Sequence, residues 1–181
     1  MAVDHVKAPN ITNLDATPRV PPTAGEAGNS PLIWAEGYAT AVASSSVDAT
    51  YQLVRLPASA KVKVIFFESE AQGAGSFDLG VYYSTDLSSP QNPLFVTSLL
   101  AAAAIDQDFF AQAIDCSSAV VMAIYARAAG GFNIGTRMKP LWSAAGVTTD
   151  PGGNLDIVAT VKTTAVTTGT GKFGIGVLYT N

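Results

Sequence analysis

Chemically active side chains are scarce in this sequence. Its 181 residues include one cysteine, Cys116, and one histidine, His5. A lone thiol closes no internal disulfide and makes no zinc site. That fits assembly in a reducing cytoplasm. Charge is scarce as well: 13% of residues carry it, against about 25% in an average soluble chain. Ten basic and fourteen acidic residues leave a formal net charge of −4. Nucleic-acid affinity comes mainly from Lys and Arg neutralising phosphates. No basic cluster here exceeds Lys61–Val62–Lys63, so no nucleic-acid partner is expected. Long apolar runs are missing too. A membrane span needs about 18 or more uncharged apolar residues, and the longest bland run, Val96 to Ile105, falls far short. Met1 to Lys7 lacks the apolar stretch of a secretory signal. A soluble protein that is not exported by the usual route, and has no membrane partner, is expected.

Apolar residues, at 48%, are plentiful. A chain so poor in charge suggests a surface partly covered by other subunits. The length fits one domain with an attached arm. Five of the ten prolines (Pro9, Pro18, Pro21, Pro22 and Pro31) fall near the N-terminus. Proline fixes φ and removes a backbone donor, so no helix or central strand passes through them. Residues 1–33 therefore read as an extended arm and residues 34–181 as the body. A solvated terminus is the plain alternative. Val6, Ile11, Leu14 and Val20 favour an arm that orders against a partner, because a solvating tail carries fewer such anchors.

The body reads as short strands separated by turns. Leu32–Val42 and Tyr51–Leu56 are the first two, and Pro57–Ala60 turns the chain. In Lys61–Ser69, Val62, Val64 and Phe66 share one face and Lys61 and Lys63 the other. Phe77, Leu79, Val81 and Tyr83 alternate with Asp78, Gly80, Tyr82 and Ser84, which marks a half-buried strand. Phe95–Ile114 is ambiguous. A strand at Phe95–Leu99 followed by an irregular connection with one short helix is expected from its alanines. Ala119–Ala126 is apolar on both faces and reads as a central buried strand. Trp142 falls in a loop or short helical turn. Leu155–Thr164 and the stretch from Phe173 to Tyr179 complete about eight strands. Such a pattern means an antiparallel β-sandwich or barrel. The long connection between the fourth and sixth strands favours a jelly-roll-like crossing.

Catalytic constellations are not apparent. A general base must be held rigidly beside its nucleophile, and His5 sits in the Pro-rich arm. Gly169–Thr170–Gly171–Lys172 resembles part of a phosphate loop, but Val166 and Phe173 stand where that motif needs Gly and Ser or Thr. Glu68 and Glu70 could pair as acid and base, yet nothing else converges on them. Asp106, Asp108 and Asp115 lack the Gly and closing Glu of a calcium loop. Asn10–Ile11–Thr12 matches a glycosylation sequon only by chance if no secretory signal precedes it. Trp34, Tyr38, Tyr82, Tyr83 and Trp142 could line a sugar site. Core or subunit interface is the commoner use of such aromatics. No enzyme, metal or cofactor is expected.

Several stretches carry a likeness to known proteins. Tyr51-Gln-Leu-Val-Arg-Leu-Pro-Ala-Ser-Ala-Lys-Val, Gly80-Val-Tyr-Tyr-Ser, Lys139-Pro-Leu-Trp-Ser-Ala-Ala-Gly and Thr149-Asp-Pro-Gly-Gly-Asn-Leu-Asp-Ile-Val-Ala-Thr-Val resemble a group of phage virion proteins. The resemblance implies a capsid decoration (cement, or head-stabilising) protein of a tailed bacteriophage. Such a protein would be made in the host bacterial cytoplasm and sit on the outer capsid surface. Its implied partners are the major capsid protein and further copies of itself, as a homodimer or homotrimer. Cement proteins bury surface across shell seams, and an extended arm gains contact area cheaply along a neighbour. The alternative is a receptor- or carbohydrate-binding module of a head or tail fibre, because one fold serves many functions.

Overall fold

The computed structural model describes residues 31–42, 45–84, 104–127, 131–162, 165–167 and 171–181. The arm anchors Val6, Ile11, Leu14 and Val20, and His5, lie outside these residues. So does the strand expected at Phe95–Leu99.

The described residues form eight strands: β1 (Ile33–Thr40), β2 (Thr50–Pro57), β3 (Lys61–Ser69), β4 (Ser76–Tyr83), β5 (Ala104–Asp115), β6 (Val120–Ile124), β7 (Asn154–Lys162) and β8 (Lys172–Thr180). They pair antiparallel as β1 with β8, β2 with β7, β3 with β6 and β4 with β5. That is one long two-stranded ribbon, folded over on itself. Wrapping the ribbon brings β3 beside β8 and β4 beside β7. Two four-stranded sheets result, in the orders β1-β8-β3-β6 and β2-β7-β4-β5. This strand order is a jelly roll, so the expected all-β sandwich is observed. A short helix, α1 (Leu141–Ala144), carries Trp142 as the sequence suggested.

The core lies between the sheets. Six phenylalanines, at 67, 77, 109, 110, 132 and 173, are fully buried. Each contributes about 1.5–3 kcal/mol relative to an exposed ring. Phe77, Phe173 and Tyr51 pack at centroid distances of 4.7–6.3 Å. Phe109, Phe110 and Phe132 form a second cluster.

Four sequence expectations fail, each for a local reason. Lys63 is an extra residue in β3, because the register with β8 shifts between Val62 and Val64. One extra residue reverses side-chain parity. Ile65 and Phe67 therefore face the core and Phe66 faces out. Residues 104–115 form strand β5 instead of an irregular connection with a short helix. Cross-strand pairing with β4 overrides the helix propensity of the alanines. β6 is an edge strand with Val121 and Met122 exposed, and is not central or buried. Finally, β4 is buried on both faces. Three register shifts against β4 make β5 bulge. The bulge carries the backbone of Asp106 and Gln107 directly over Gly80, leaving no room for a Cβ. A glycine inside a strand marks such an approach. Asp78 Oδ1 accepts a 2.7 Å hydrogen bond from the amide of Ala113, which holds a φ of 50° within the bulge.

Candidate interaction surface

The outer faces of the two sheets differ. On the β2-β7-β4-β5 sheet, Asp78, Tyr82, Asp156 and Thr160 are buried and partnered. Arg55 grips Asp156 through two bonds, of 2.7 and 3.0 Å. The Tyr82 and Thr160 hydroxyls are 2.7 Å apart, and burial raises the Tyr82 phenol above its ordinary pKa. Contacts within the chain cover these four side chains.

The outer face of the β1-β8-β3-β6 sheet is open. Alternation along β1 turns Trp34, Glu36, Tyr38 and Thr40 outward. Register sets Glu36 across from Gly176, which pairs on its other side with Phe66, and Phe66 in turn with Ala123. Tyr38 stands across from Gly174, which pairs with Glu68 and then Val121. The two β8 glycines put no side chain between the β1 row and the β3 row. A shallow groove follows, with Trp34, Glu36 and Tyr38 on one bank and Phe66 and Glu68 on the other. The indole of Trp34 lies across Gly176, where a Cβ would overlap the ring. Its centroid is 5.7 Å from that of Phe66, and its Nε1–H donates to Glu36 Oε2 at 2.9 Å. The Lys172 ammonium sits 5.9 Å from the Tyr38 ring centroid.

Large apolar groups are freely accessible here. Trp34 is 50% exposed, Tyr38 75%, Phe66 42% and Val121 86%. Grouped exposed apolar residues of this kind mark contact surfaces. Aromatics are the residues that anchor such contacts. Glu36, Glu68 and Glu70 lie on or beside the face together with the cation Lys172. Glu70 Oε2 accepts the backbone amide of Lys172 at 2.7 Å.

The sequence singled out Trp34 and Tyr38, and the structure brings them together. Tyr82, Tyr83 and Trp142 lie elsewhere, buried or half-buried. Phe66 and Val121 were missed. Glu68 and Glu70 flank the groove with no acid–base partner arrangement. Gly171 and Lys172 lead into strand β8 where a phosphate loop would need a helix. Asp106 and Asp108 lie in β5, where Arg127 Nη2 donates to Asp108 Oδ2 at 2.7 Å. That bond lowers the Asp108 carboxyl below the usual range, while burial raises that of Asp106. Among the described residues, no group of three or more His, Cys, Asp or Glu gathers to hold a metal ion. Cys116 is buried, and its thiol is pushed up to about 11 by desolvation. Among the described residues no helix is long and apolar enough to cross a membrane.

No protein-family model and no curated protein matches the chain. Solved structures do. A chain from the capsid of Ralstonia phage GP4 aligns over 90% of this chain and 88% of its own length, at a TM-score of 0.55 and 12% identity. A chain from the acid-stable capsid of Helicobacter pylori bacteriophage KHP30 covers 84% of this chain and 89% of its own, at a TM-score of 0.43 and 16% identity. One from the cyanophage Pam1 capsid asymmetric unit covers 92% and 96%, at a TM-score of 0.41 and 12% identity. With the GP4 capsid chain the correspondence is one of fold, and it extends over nearly all of both chains.

Proposed function

We propose that this chain is a structural virion protein that binds the outer surface of a tailed-phage capsid and cements the shell by bridging subunits. The observation that carries the reading is the near end-to-end match of fold with a chain of the GP4 capsid. The open aromatic face supports it, since the β1-β8-β3-β6 sheet presents Trp34, Tyr38, Phe66 and Val121 for contact. The low charge content also suits a surface shared with neighbours. Its partners are the major capsid protein and further copies of itself, as a dimer or trimer at a local symmetry axis. Val6, Ile11, Leu14 and Val20 anchor the arm on the shell or on a neighbouring copy. A standard contact buries about 1,600 Å² in total, and repetition over a closed shell multiplies modest contacts. The chain is not an enzyme in this reading.

The test is co-sedimentation of the purified full chain with capsids that lack it. Binding is expected to saturate at a fixed ratio to the major capsid protein. Deleting residues 1–31 is expected to leave a folded body that binds poorly. Full binding by that truncation contradicts the arm's role, and no binding by the full chain contradicts cementing.

A second reading is a receptor- or carbohydrate-binding module of a head or tail fibre. The half-exposed indole of Trp34 beside Tyr38 favours it, because aromatic platforms also suit sugar faces. A glycan-array signal that disappears in Trp34→Ala would support it over cementing.

A further inference from the structure

A strand at the edge of a sheet leaves a row of backbone donors and acceptors unpaired, and proteins ordinarily guard that row with charge, a bulge or a covering segment. The edges of this sandwich are β1 and β6 in one sheet and β2 and β5 in the other. β1 and β2 close on each other: the Leu53 carbonyl of β2 lies so near Gly37 of β1 that no Cβ would fit between them. β5 is bulged by three register shifts and carries Asp106 and Asp108. Among the described residues β6 has none of these guards. Its register with β3 is unbroken, and no strand pairs with its other side. No residue from Cys116 to Ala126 is charged. Val121, Met122 and Tyr125 are exposed. We propose that β6 pairs antiparallel with β6 of a second copy of this chain, joining two β1-β8-β3-β6 sheets into one sheet across a two-fold axis. This inference rests on the self-association in the proposed function and names the surface that carries it.

The strand is complementary to itself. Residues directly opposite in an antiparallel pair point to the same face, so the axis must pass through a residue and not between two. Centring it on Met122 pairs all five residues: Val120 with Ile124, Val121 with Ala123, and Met122 with its equal. Five residues is an ordinary strand length. Across the join the outer face runs from Glu68 and Val121 of one copy to Ala123 and Phe66 of the second. The same register sets Tyr125 opposite Ala119. Glu68 and its equal stand three inter-strand spacings apart, about 14 Å, which exceeds a Debye length at physiological salt. Ala111 and Gln112 of β5 share a cleft with Met122 and are uncharged as well. The length, parity and neutrality that β6 asks of an occupant are thus met by β6 itself. The pairing also brings the open aromatic faces of both copies onto one side of a continuous sheet.

Two short strands bury less than a standard contact, so a dimer with a Kd on the order of 10 µM is expected. Sedimentation equilibrium of the full chain reads it. Val121→Lys with Ala123→Lys sets like charges opposite one another twice and is expected to weaken the dimer at least about tenfold. Val121→Lys with Ala123→Glu sets opposite charges across the join in this register and is expected to keep the Kd within about threefold of wild type. Both sites are exposed, so both variants should keep the wild-type urea midpoint. Under mild oxidation Met122→Cys should cross-link to its equal about tenfold faster than the exposed control Ser59→Cys. Opposed Cα atoms in an antiparallel pair lie about 4.5–5.5 Å apart, a distance a disulfide spans, and the native thiol of Cys116 is buried. Five results overturn the proposal. They are a monomer at about 0.5 mM, as cover by Phe95–Leu99 of the same chain would give; a trimer, which an isologous edge cannot form; a doubly basic variant that associates like wild type; a charge-paired variant that does not associate; and equal cross-linking at Met122 and Ser59. A monomer that still sediments with capsids would sink the edge pairing and leave cementing standing. A dimer that ignores capsids would do the reverse.

Discussion

Two glycines on the faces of this jelly roll should respond differently to one added methyl group. Gly80 and Gly176 both lie within strands, and neither has a positive φ. Alanine at such a site stabilises by about 0.4–1 kcal/mol through the unfolded chain if the space is free. At Gly80 the space is taken by the carbonyls of Asp106 and Gln107. Those are backbone groups of the β5 bulge, tied down where Asp78 accepts the Ala113 amide. Overpacking of this kind costs about 1–3 kcal/mol, so Gly80→Ala is expected to destabilise by a net of about 1–2 kcal/mol. At Gly176 the obstacle is the far edge of the Trp34 ring, which is half exposed and can swing outward. Exposing roughly 50 Å² more of the indole costs about 1 kcal/mol, close to what the unfolded-state effect returns. Gly176→Ala should therefore be near neutral for folding but should alter the groove. Urea unfolding at 25 °C distinguishes the two. With a slope of about 2 kcal/mol per molar urea, Gly80→Ala lowers the midpoint by about 0.5–1 M. Gly176→Ala leaves it nearly unchanged and shifts the Trp34 emission. A wild-type midpoint for Gly80→Ala would refute the close approach of β5 to β4.

Three further outcomes follow from the same contacts. Asp78→Ala removes the acceptor of the Ala113 amide and should cost about 0.5–1.5 kcal/mol in urea unfolding, the net worth of a part-buried hydrogen bond. Cys116, buried and with its thiol pushed up to about 11, should resist a thiol reagent at pH 8 while folded, with only about one part in a thousand as thiolate. It should react at once in denaturant, and fast native labelling would contradict its burial. Arg127 holds the Asp108 carboxyl low. That stabilisation is present above the ordinary carboxylate range and is lost as the pH falls through the lowered folded value. Arg127→Met should therefore lose less stability than wild type between pH 5 and 3, measured as the urea midpoint, and an unchanged acid limb would contradict the link.

Much of the fold is legible in the sequence where one residue type alternates with another. Phe173, Ile175, Val177 and Tyr179 face the core as their period of two suggests. The jelly-roll crossing is consistent with the long stretch between the fourth and sixth strands. Legibility fails where tertiary contacts break the period. The bulge at Lys63 turns Phe66 outward, and nothing local announces it. The alanines of β5 have helical propensity, yet β4 pairs with them. β6 looks central because it is apolar on both sides, while its exposed side belongs to an open face. The candidate surface was half visible: Trp34 and Tyr38 stood out, but Phe66 and Val121 join them only through register across β8. Gly174 and Gly176 were the available signal, since glycines alternating with core residues leave one strand face bare.

The central claim is that this chain is a component of the virion shell. Quantitative mass spectrometry of purified virions from the source phage, scaling this chain against the major capsid protein, tests it most directly. Cementing predicts abundance near one copy, or a simple fraction of a copy, per major capsid subunit. A handful of copies per particle, or complete absence, would contradict it.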